Sequence, residues 1–227
     1  MSDLVEIPQI ITSSLRKLIE QLDELATPLR TLEPIPPSPR VSVAFEHLKA
    51  LLGGRQNFST KSVLKFHELI GSEGEFRKPV QSFFDENNIA IRGYHPAQAE
   101  DLEKILDDYI TKYHPEQPCE QPLLKIAGAY LTFALIHPFK DGNGRVGRLI
   151  AAWLMHMHGY EILAPYLEDW MGNEDREHGK SFESDIHNYF AWCNPQNSAY
   201  LLWYVDRFFN AFLQELINGC QKLLRKT

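Results

Sequence analysis

Apolar residues recur at steps of three and four positions along most of the chain, the spacing that places them on one face of an α-helix. Prolines and glycines interrupt this pattern between the apolar stretches. Ser59 stands directly before one stretch, where its hydroxyl is suited to cap the first helical turn. The pattern predicts helices over residues 7–25, 41–52, 59–70, 102–110, 123–136, 146–157 and 201–217.

The interruptions also indicate how the chain is divided. The stretch LEPIPPSPR at 32–40 contains four prolines, which favour an extended linker over a helix. We therefore predict an N-terminal helix within 1–31, a proline-rich linker over 32–40 and a main domain over 41–227, with its core at about 97–160. The N-terminal helix, which lies before the linker, is expected to be an appendage to that domain.

Residues 71–94 break the helical spacing. Short apolar pieces flank the polar run DENN at 85–88, which suits a turn between two strands. We predict a small β-hairpin here, inserted into an otherwise all-α bundle.

Composition narrows the class of protein. Hydrophobic residues make up 44% of the chain, enough for a packed core, and the 23 basic and 30 acidic residues give a net charge of −7. A nucleic-acid partner is not expected, because general nucleic-acid binders present a basic face. No apolar run is long enough to predict a membrane span. The three cysteines are far apart without a CxxC pair, which favours a reducing, cytoplasmic setting.

The segment HPFKDGNGRVGR at 137–148 concentrates chemically reactive groups directly before a helix. Free N–H groups at a helix start bind anions, and Gly142 and Gly144 allow the backbone to approach a phosphate closely. Asn143 adds an amide. Arg145 and Arg148 are three positions apart, so both guanidinium groups can face one anion. These five residues are candidate phosphate ligands, although a Gly-Asn-Gly sequence taken alone is also a common turn.

Three further residues of the segment extend this hypothesis. Asp141 offers a hard oxygen ligand of the kind that magnesium takes beside a polyphosphate. His137 is suited to accept a proton near neutral pH. Phe139 is expected to anchor the loop as an apolar plug. The combination predicts a nucleotide phosphate site with a metal ion and a base.

The same twelve residues resemble the signature of Fic-domain proteins, His-x-Phe-x-Asp/Glu-Gly-Asn-Gly-Arg-x-x-Arg, at every defining position. The segments FSTKSVLKFHELI and GEFR upstream are similar to the approach to that signature, so the resemblance covers about residues 41–212. It implies the all-α Fic fold, in which a helical bundle surrounds a helix–loop–helix active site and a small β-hairpin flap faces that site.

The resemblance also implies an activity, the transfer of AMP from ATP to a Tyr, Thr or Ser hydroxyl of a target protein with release of pyrophosphate. His137 would act as the general base and Asp141 would hold Mg²⁺. The amides of 142–144, with the side chain of Asn143, would bind phosphate oxygens. Arg145 would support the β-phosphate and Arg148 would reach the γ-phosphate.

The resemblance implies partners as well. The edge of the flap would dock an extended segment of the target, with Arg77, Val80, Ile89 and Ile91 as candidate residues. Many Fic proteins carry an inhibitory helix with the pattern Ser/Thr-x-x-x-Glu-Gly/Asn. Its one literal match here is SFFDEN at 82–87, with Glu86, in the flap region where the helix is not expected. Either inhibition is therefore absent, or a separate antitoxin-like partner supplies the glutamate. A homodimer is also kept open.

Two other kinds of function stay open on the sequence alone. Related proteins transfer another nucleotide or phosphate group, or remove AMP, but the variants with altered chemistry often lack Gly144 or Arg148. The second alternative is a non-catalytic nucleotide-sensing module, which the presence of His137 and Asp141 disfavours.

Overall fold

The computed structural model of the chain describes residues 12–31, 50, 58–78, 99–164 and 198–225, and for 30–31 and 198–204 it describes the backbone only. This part of the chain consists of helices and turns and contains no strand. None of the described helices combines the length and apolar character needed to cross a bilayer. The helices are α1 (Ser13–Ala26), α2 (Thr60–Leu69), α3 (Leu102–Tyr113), α4 (Pro122–Ile136), α5 (Asn143–Met157) and α6 (Ser198–Leu224).

The helix ends follow local sequence signals. The Ser59 hydroxyl accepts a hydrogen bond from the Ser62 amide, so α2 begins at the predicted cap. Thr12 caps α1 in the same way through the Leu15 amide. Pro122, one residue before the helix predicted over 123–136, is the first residue of α4, a position where its missing N–H leaves no bond unmade. Gly159, one of the glycines that interrupt the helical spacing, follows the end of α5 with a positive φ of 78°, a conformation typical of glycine after a helix.

Helix α4 forms the centre of the fold. It packs against α3, α5 and α6, and nearly all of its side chains are buried. A helix that is apolar on all sides needs neighbours on all sides. Its C-terminal end, and the start of α5 beside it, are therefore held in place by the core.

Helix α1 packs on α6 through an apolar face formed by Leu15, Ile19, Leu22 and Ala26. Polar contacts border this face: the Thr12 hydroxyl donates to Asp206 at 2.9 Å. The expected appendage thus shares one hydrophobic core with the other described helices. Apolar spacing predicted the helix but carried no information about its packing partner.

Several predicted segments lie outside the described residues. These are the linker at 32–40, nearly all of the predicted helix at 41–52, and the predicted hairpin from residue 79 onward. The division of the chain at 31 and 41 stays a prediction. Residues 71–78, which are described, form turns and irregular backbone.

Candidate active site

The HPFKDGNGRVGR segment forms the connection between α4 and α5. His137 is the residue at which α4 ends, and Gly142 is the residue from which α5 begins. Phe139 is fully buried between them and stacks on the ring of His67, with ring centroids 3.8 Å apart. The loop is therefore fastened to the core by the side chain that was expected to anchor it.

Asn143 closes this loop through its side-chain amide. Its Oδ1 accepts a hydrogen bond from the Phe139 amide at 2.9 Å, and its Nδ2 donates to the Phe139 carbonyl at 2.7 Å. The side chain is 7% exposed, so these bonds lie within the protein. The observed function of the Asn143 side chain is to hold the loop, and the contact with phosphate that we expected stays a prediction.

Gly142 occupies a position that a larger residue could not take without strain. Its φ is +83°, and a Cβ atom there would lie 3.0 Å from Cδ1 of Ile70 and 3.2 Å from Cδ2 of His67. Both the backbone conformation and the close approach of α2 require glycine. At Gly144 a Cβ would lie 3.3 Å from Nη1 of Arg148, so the missing side chain lets that guanidinium lie against the first turn of α5.

Asp141 presents its carboxylate at the surface in a fixed orientation. Its Oδ1 accepts from the Gly142 amide at 2.6 Å, and its Oδ2 accepts from Nη2 of Arg145 at 2.9 Å. Arg145 also donates through Nη1 to the Ile70 carbonyl at 3.2 Å. The Asp141 side chain is 86% exposed, so it stays accessible to a ligand or cation.

The described residues do not include a group of three or more His, Cys, Asp or Glu side chains able to hold a metal ion. A cation at Asp141 would thus take most of its ligands from water and from bound phosphate. One exposed carboxylate completed in this way fits Mg²⁺, which keeps several waters and binds through one or two carboxylates plus substrate phosphates. It does not fit a zinc site, which needs several protein ligands.

His137 has an unusual backbone conformation for its residue type. With φ 48° and ψ 57° it lies in the left-handed region, and among the described residues no other non-glycine residue has a positive φ. Its amide still donates to the Phe133 carbonyl, as at many helix ends. Conformations of this kind cost about 1–3 kcal/mol and persist where the surroundings enforce them.

His67 supports the loop from α2 and was not identified from the sequence as a site residue. Its Nδ1 accepts from the Gly74 amide at 3.2 Å, which leaves Nε2 to donate to the Asp141 carbonyl at 2.9 Å. Burial lowers the pKa of His67 below its ordinary value, in keeping with a neutral ring. The signal was present, because His67 follows Val63 and Phe66 on the buried face of α2, a polar residue at an apolar position.

Arg77 was expected on the target-docking edge of the flap, but the structure places it under the loop. It is 8% exposed, and its Nε donates to the His137 carbonyl at 2.8 Å. Its own amide donates to the Pro138 carbonyl at 2.9 Å. A side chain buried in this way holds the loop in the described conformation, whereas its contact with a target stays a prediction. Val80, Ile89 and Ile91, the other docking candidates, lie outside the described residues, as does Glu86.

Comparison with known sequences agrees with this geometry. A sequence model of the Fic/DOC family matches residues 57–155, which include α2 to the greater part of α5 and the loop between α4 and α5.

The chain contains a Fic domain.

Named relatives share the domain over part of their length. The chain is 27% identical over 128 residues to the protein adenylyltransferase Fic of Aedes aegypti, covering 53% of this chain and 24% of that protein. It is 33% identical over 70 residues to a Fido domain-containing protein of Dictyostelium discoideum, covering 30% of this chain and 49% of that protein. The chain thus spans from about a quarter to a half of the length of these relatives.

Solved structures of Fic proteins share the fold. A Fic family protein from Desulfovibrio desulfuricans superposes with a TM-score of 0.60 at 18% identity, covering 97% of this chain and 77% of that one. A Fic domain-containing signalling protein from Bacteroides thetaiotaomicron gives a TM-score of 0.54 at 15% identity, covering 97% and 96%. At these identities the likeness concerns the fold, and it confirms the expected all-α Fic architecture.

Proposed function

We propose that the protein is a protein adenylyltransferase, which transfers AMP from ATP to a Tyr, Thr or Ser hydroxyl of a target protein. The observation that carries the proposal is the connection between α4 and α5, where an imidazole, an exposed carboxylate and two arginines flank one helix start. The relative from Aedes aegypti, which is named as an adenylyltransferase, supports the same activity.

His137 would take the proton from the target hydroxyl onto a nitrogen of its ring. The hydroxyl oxygen would then form a bond to the α-phosphorus as the bond from that phosphorus to the bridging oxygen breaks, and pyrophosphate would leave with that oxygen. No covalent intermediate with the enzyme is needed. Most of the rate would come from positioning and charge stabilisation, as is general for displacements at phosphorus.

The start of α5 would bind the triphosphate. The N–H groups of its first turn and the partial positive charge of the helix N-terminus favour an anion there. Arg145 and Arg148 would add guanidinium groups for the β- and γ-phosphates. Because Arg145 is paired with Asp141 in the described conformation, ATP and its cation would have to loosen this pair on binding.

Asp141 would hold Mg²⁺, with the remaining ligands supplied by phosphate oxygens and water. When bound, the cation would neutralise negative charge on the phosphates. The exposed position of the Asp141 carboxylate supports this assignment, because an ion that keeps several waters needs space around its protein ligand.

Partners and location follow as further parts of the proposal. The target protein would dock on the edge that includes Arg77, Val80, Ile89 and Ile91. A separate antitoxin-like protein would inhibit the enzyme, and the chain would form a homodimer. We propose a cytoplasmic location because the separated cysteines suit a reducing compartment.

Replacing the base tests the activity directly. We expect His137→Ala to lower AMP transfer from labelled ATP into lysate proteins by at least ~10²-fold, the lower range for loss of a general base. ATP affinity, measured by calorimetry, should be largely unchanged. His156→Ala is the matched control, because His156 is an exposed histidine on α5, and it should retain full transfer.

The outcomes separate the alternatives. Transfer by His137→Ala at the wild-type rate would contradict the assigned base. Faster labelling with UTP or CTP than with ATP would indicate a different transferred group. ATP binding without any transfer by the wild-type protein would favour the nucleotide-sensing module.

A further inference from the structure

The main chain at His137 is the least relaxed part of the candidate site. A histidine in the left-handed region lacks the freedom that glycine has at a helix end. Pro138 follows directly and disfavours continuation of the right-handed helix at His137. The direction of the His137 side chain depends on this backbone, so whatever holds the backbone also aims the ring.

The Arg77 side chain contacts the backbone of His137 directly. Its Nε donates to the His137 carbonyl at 2.8 Å, while its amide donates to the next carbonyl, that of Pro138, at 2.9 Å. Two successive carbonyls of the loop are thus fixed by one residue that is 60 positions away in the sequence. The buried location of Arg77 shields both bonds from competing water.

The charge of Arg77 suits this position. Carbonyls at a helix C-terminus lack partners within the helix and carry partial negative charge. Helix α4 has no basic residue in its own last turn. Arg77 supplies this cation from outside the helix, at the carbonyl of His137, the proposed base.

We propose that Arg77 is a positioning residue for His137. It holds the left-handed backbone of His137 through the bond from Nε, and thereby keeps the imidazole aimed at the target hydroxyl. The expected effect on kcat rests on the proposed adenylyl transfer. The dependence of the His137 conformation on one N–H group of Arg77 can be measured without any activity.

Two substitutions of similar length isolate that N–H group. Glutamine places Nε2 at the same position along the side chain as Nε of arginine, so Arg77→Gln keeps a donor for the His137 carbonyl. Arg77→Met places a methyl group there. Hydrogen bonds to charged groups contribute about 1.5–3 kcal/mol, so Arg77→Met should lower kcat about 10- to 100-fold. KM for ATP should stay within about twofold of the wild-type value, because the substitution does not affect the binding of ATP in the ground state. The kcat of Arg77→Gln should exceed that of Arg77→Met at least about fivefold.

Lys125→Met is the matched control. Lys125 is also a buried cation that donates to two main-chain carbonyls, those of His114 and Gln117, but it lies at the other end of α4. The Lys125→Met variant should be less stable than wild type but should keep nearly the wild-type kcat. Equal kcat values for Arg77→Met and Arg77→Gln, or an equal loss in Lys125→Met, would overturn the proposal.

Histidine NMR spectra separate this inference from the proposed function. The ring signals of His137, identified by their absence in His137→Ala, should shift in Arg77→Met and stay near the wild-type position in Arg77→Gln. This result would support the positioning role even if the wild-type protein transferred no AMP, an outcome that would reject the proposed function alone. Unshifted signals in Arg77→Met would overturn the positioning role.

A third variant serves if Arg77→Met does not fold, which circular dichroism would detect. Arg77→Lys keeps the charge but places its nitrogen one atom farther along the side chain. A kcat below that of Arg77→Gln would support the role of the N–H position. A kcat equal to or above that of Arg77→Gln would show that charge alone matters and would overturn the proposal.

Discussion

Replacing Asn143 by alanine should destabilise the whole domain, because this side chain closes the loop between α4 and α5. The substitution removes the acceptor for the Phe139 amide and the donor for the Phe139 carbonyl, at 2.9 and 2.7 Å. Both main-chain groups are buried, and leaving one such group unsatisfied costs about 1–3 kcal/mol. Water that enters the vacated space will recover part of this free energy by hydrogen bonding to the exposed groups. We expect the free energy of unfolding to fall by about 2–4 kcal/mol.

Urea unfolding followed by circular dichroism measures this loss, with the m-value showing whether the transition stays two-state. Asn218→Ala is the control, because Asn218 makes side-chain hydrogen bonds on the half-exposed surface of α6, where substitutions usually change stability by less than about 0.5 kcal/mol. A loss below about 1 kcal/mol for Asn143→Ala would refute the reasoning, since it would mean that the Phe139 groups find other partners at little cost.

Aspartate at the same position gives a second, independent test. Asn143→Asp keeps an acceptor for the Phe139 amide but turns a carboxylate oxygen towards the Phe139 carbonyl, where Nδ2 now donates. At neutral pH it should be at least as unstable as Asn143→Ala, because a charge is buried without a partner for one of its oxygens. Protonation of the new carboxyl group restores a donor, so the difference in stability between this variant and wild type should shrink in acid. An Asn143→Asp variant as stable as wild type would contradict the observed contacts.

Two further predictions concern stability. Gly142→Ala should lower the free energy of unfolding by about 2–4 kcal/mol, because the strain of the positive φ adds to close contacts with α2. Gly71→Ala, where φ is also positive but the space around it is open, should lower it by only about 1–2 kcal/mol. Equal losses in urea unfolding would contradict the steric contribution at Gly142. Burial first, and then the charge of Lys125, lower the pKa of His158. Below pH 6.5 the unfolded state therefore binds more protons than the folded state, so stability decreases as the pH is lowered. His158→Gln should flatten that fall, and an unchanged slope between pH 7.5 and 5 would refute it.

The helices of the core could be predicted from the sequence because each buries one regular apolar face. Spacing located α2 to α5 closely, and single residues such as Ser59 and Gly159 marked their ends. The twelve-residue motif likewise indicated the candidate site, because its groups are adjacent along the chain. Local signals of this kind are independent of how the helices pack.

The supports of the loop could not be predicted in the same way. His67 lies 74 positions from the carbonyl it holds, and Arg77 lies 60 positions from His137. Such contacts depend on how α2 and the residues after it pack on the loop between α4 and α5, which no spacing rule encodes. The same limit explains why the sequence predicted neither the contact of Arg77 with His137 nor the packing of α1 on α6.

The loop between α4 and α5 divides its residues between two tasks that a screen for inactive variants would confuse. Phe139, Gly142 and Asn143 face inward and keep the segment folded, while Asp141 and Gly144 face solvent. A saturation screen of this segment should therefore yield two classes of inactive protein. Inward-facing substitutions would lower the yield of folded protein in cells, and outward-facing ones would leave abundant protein that does not react.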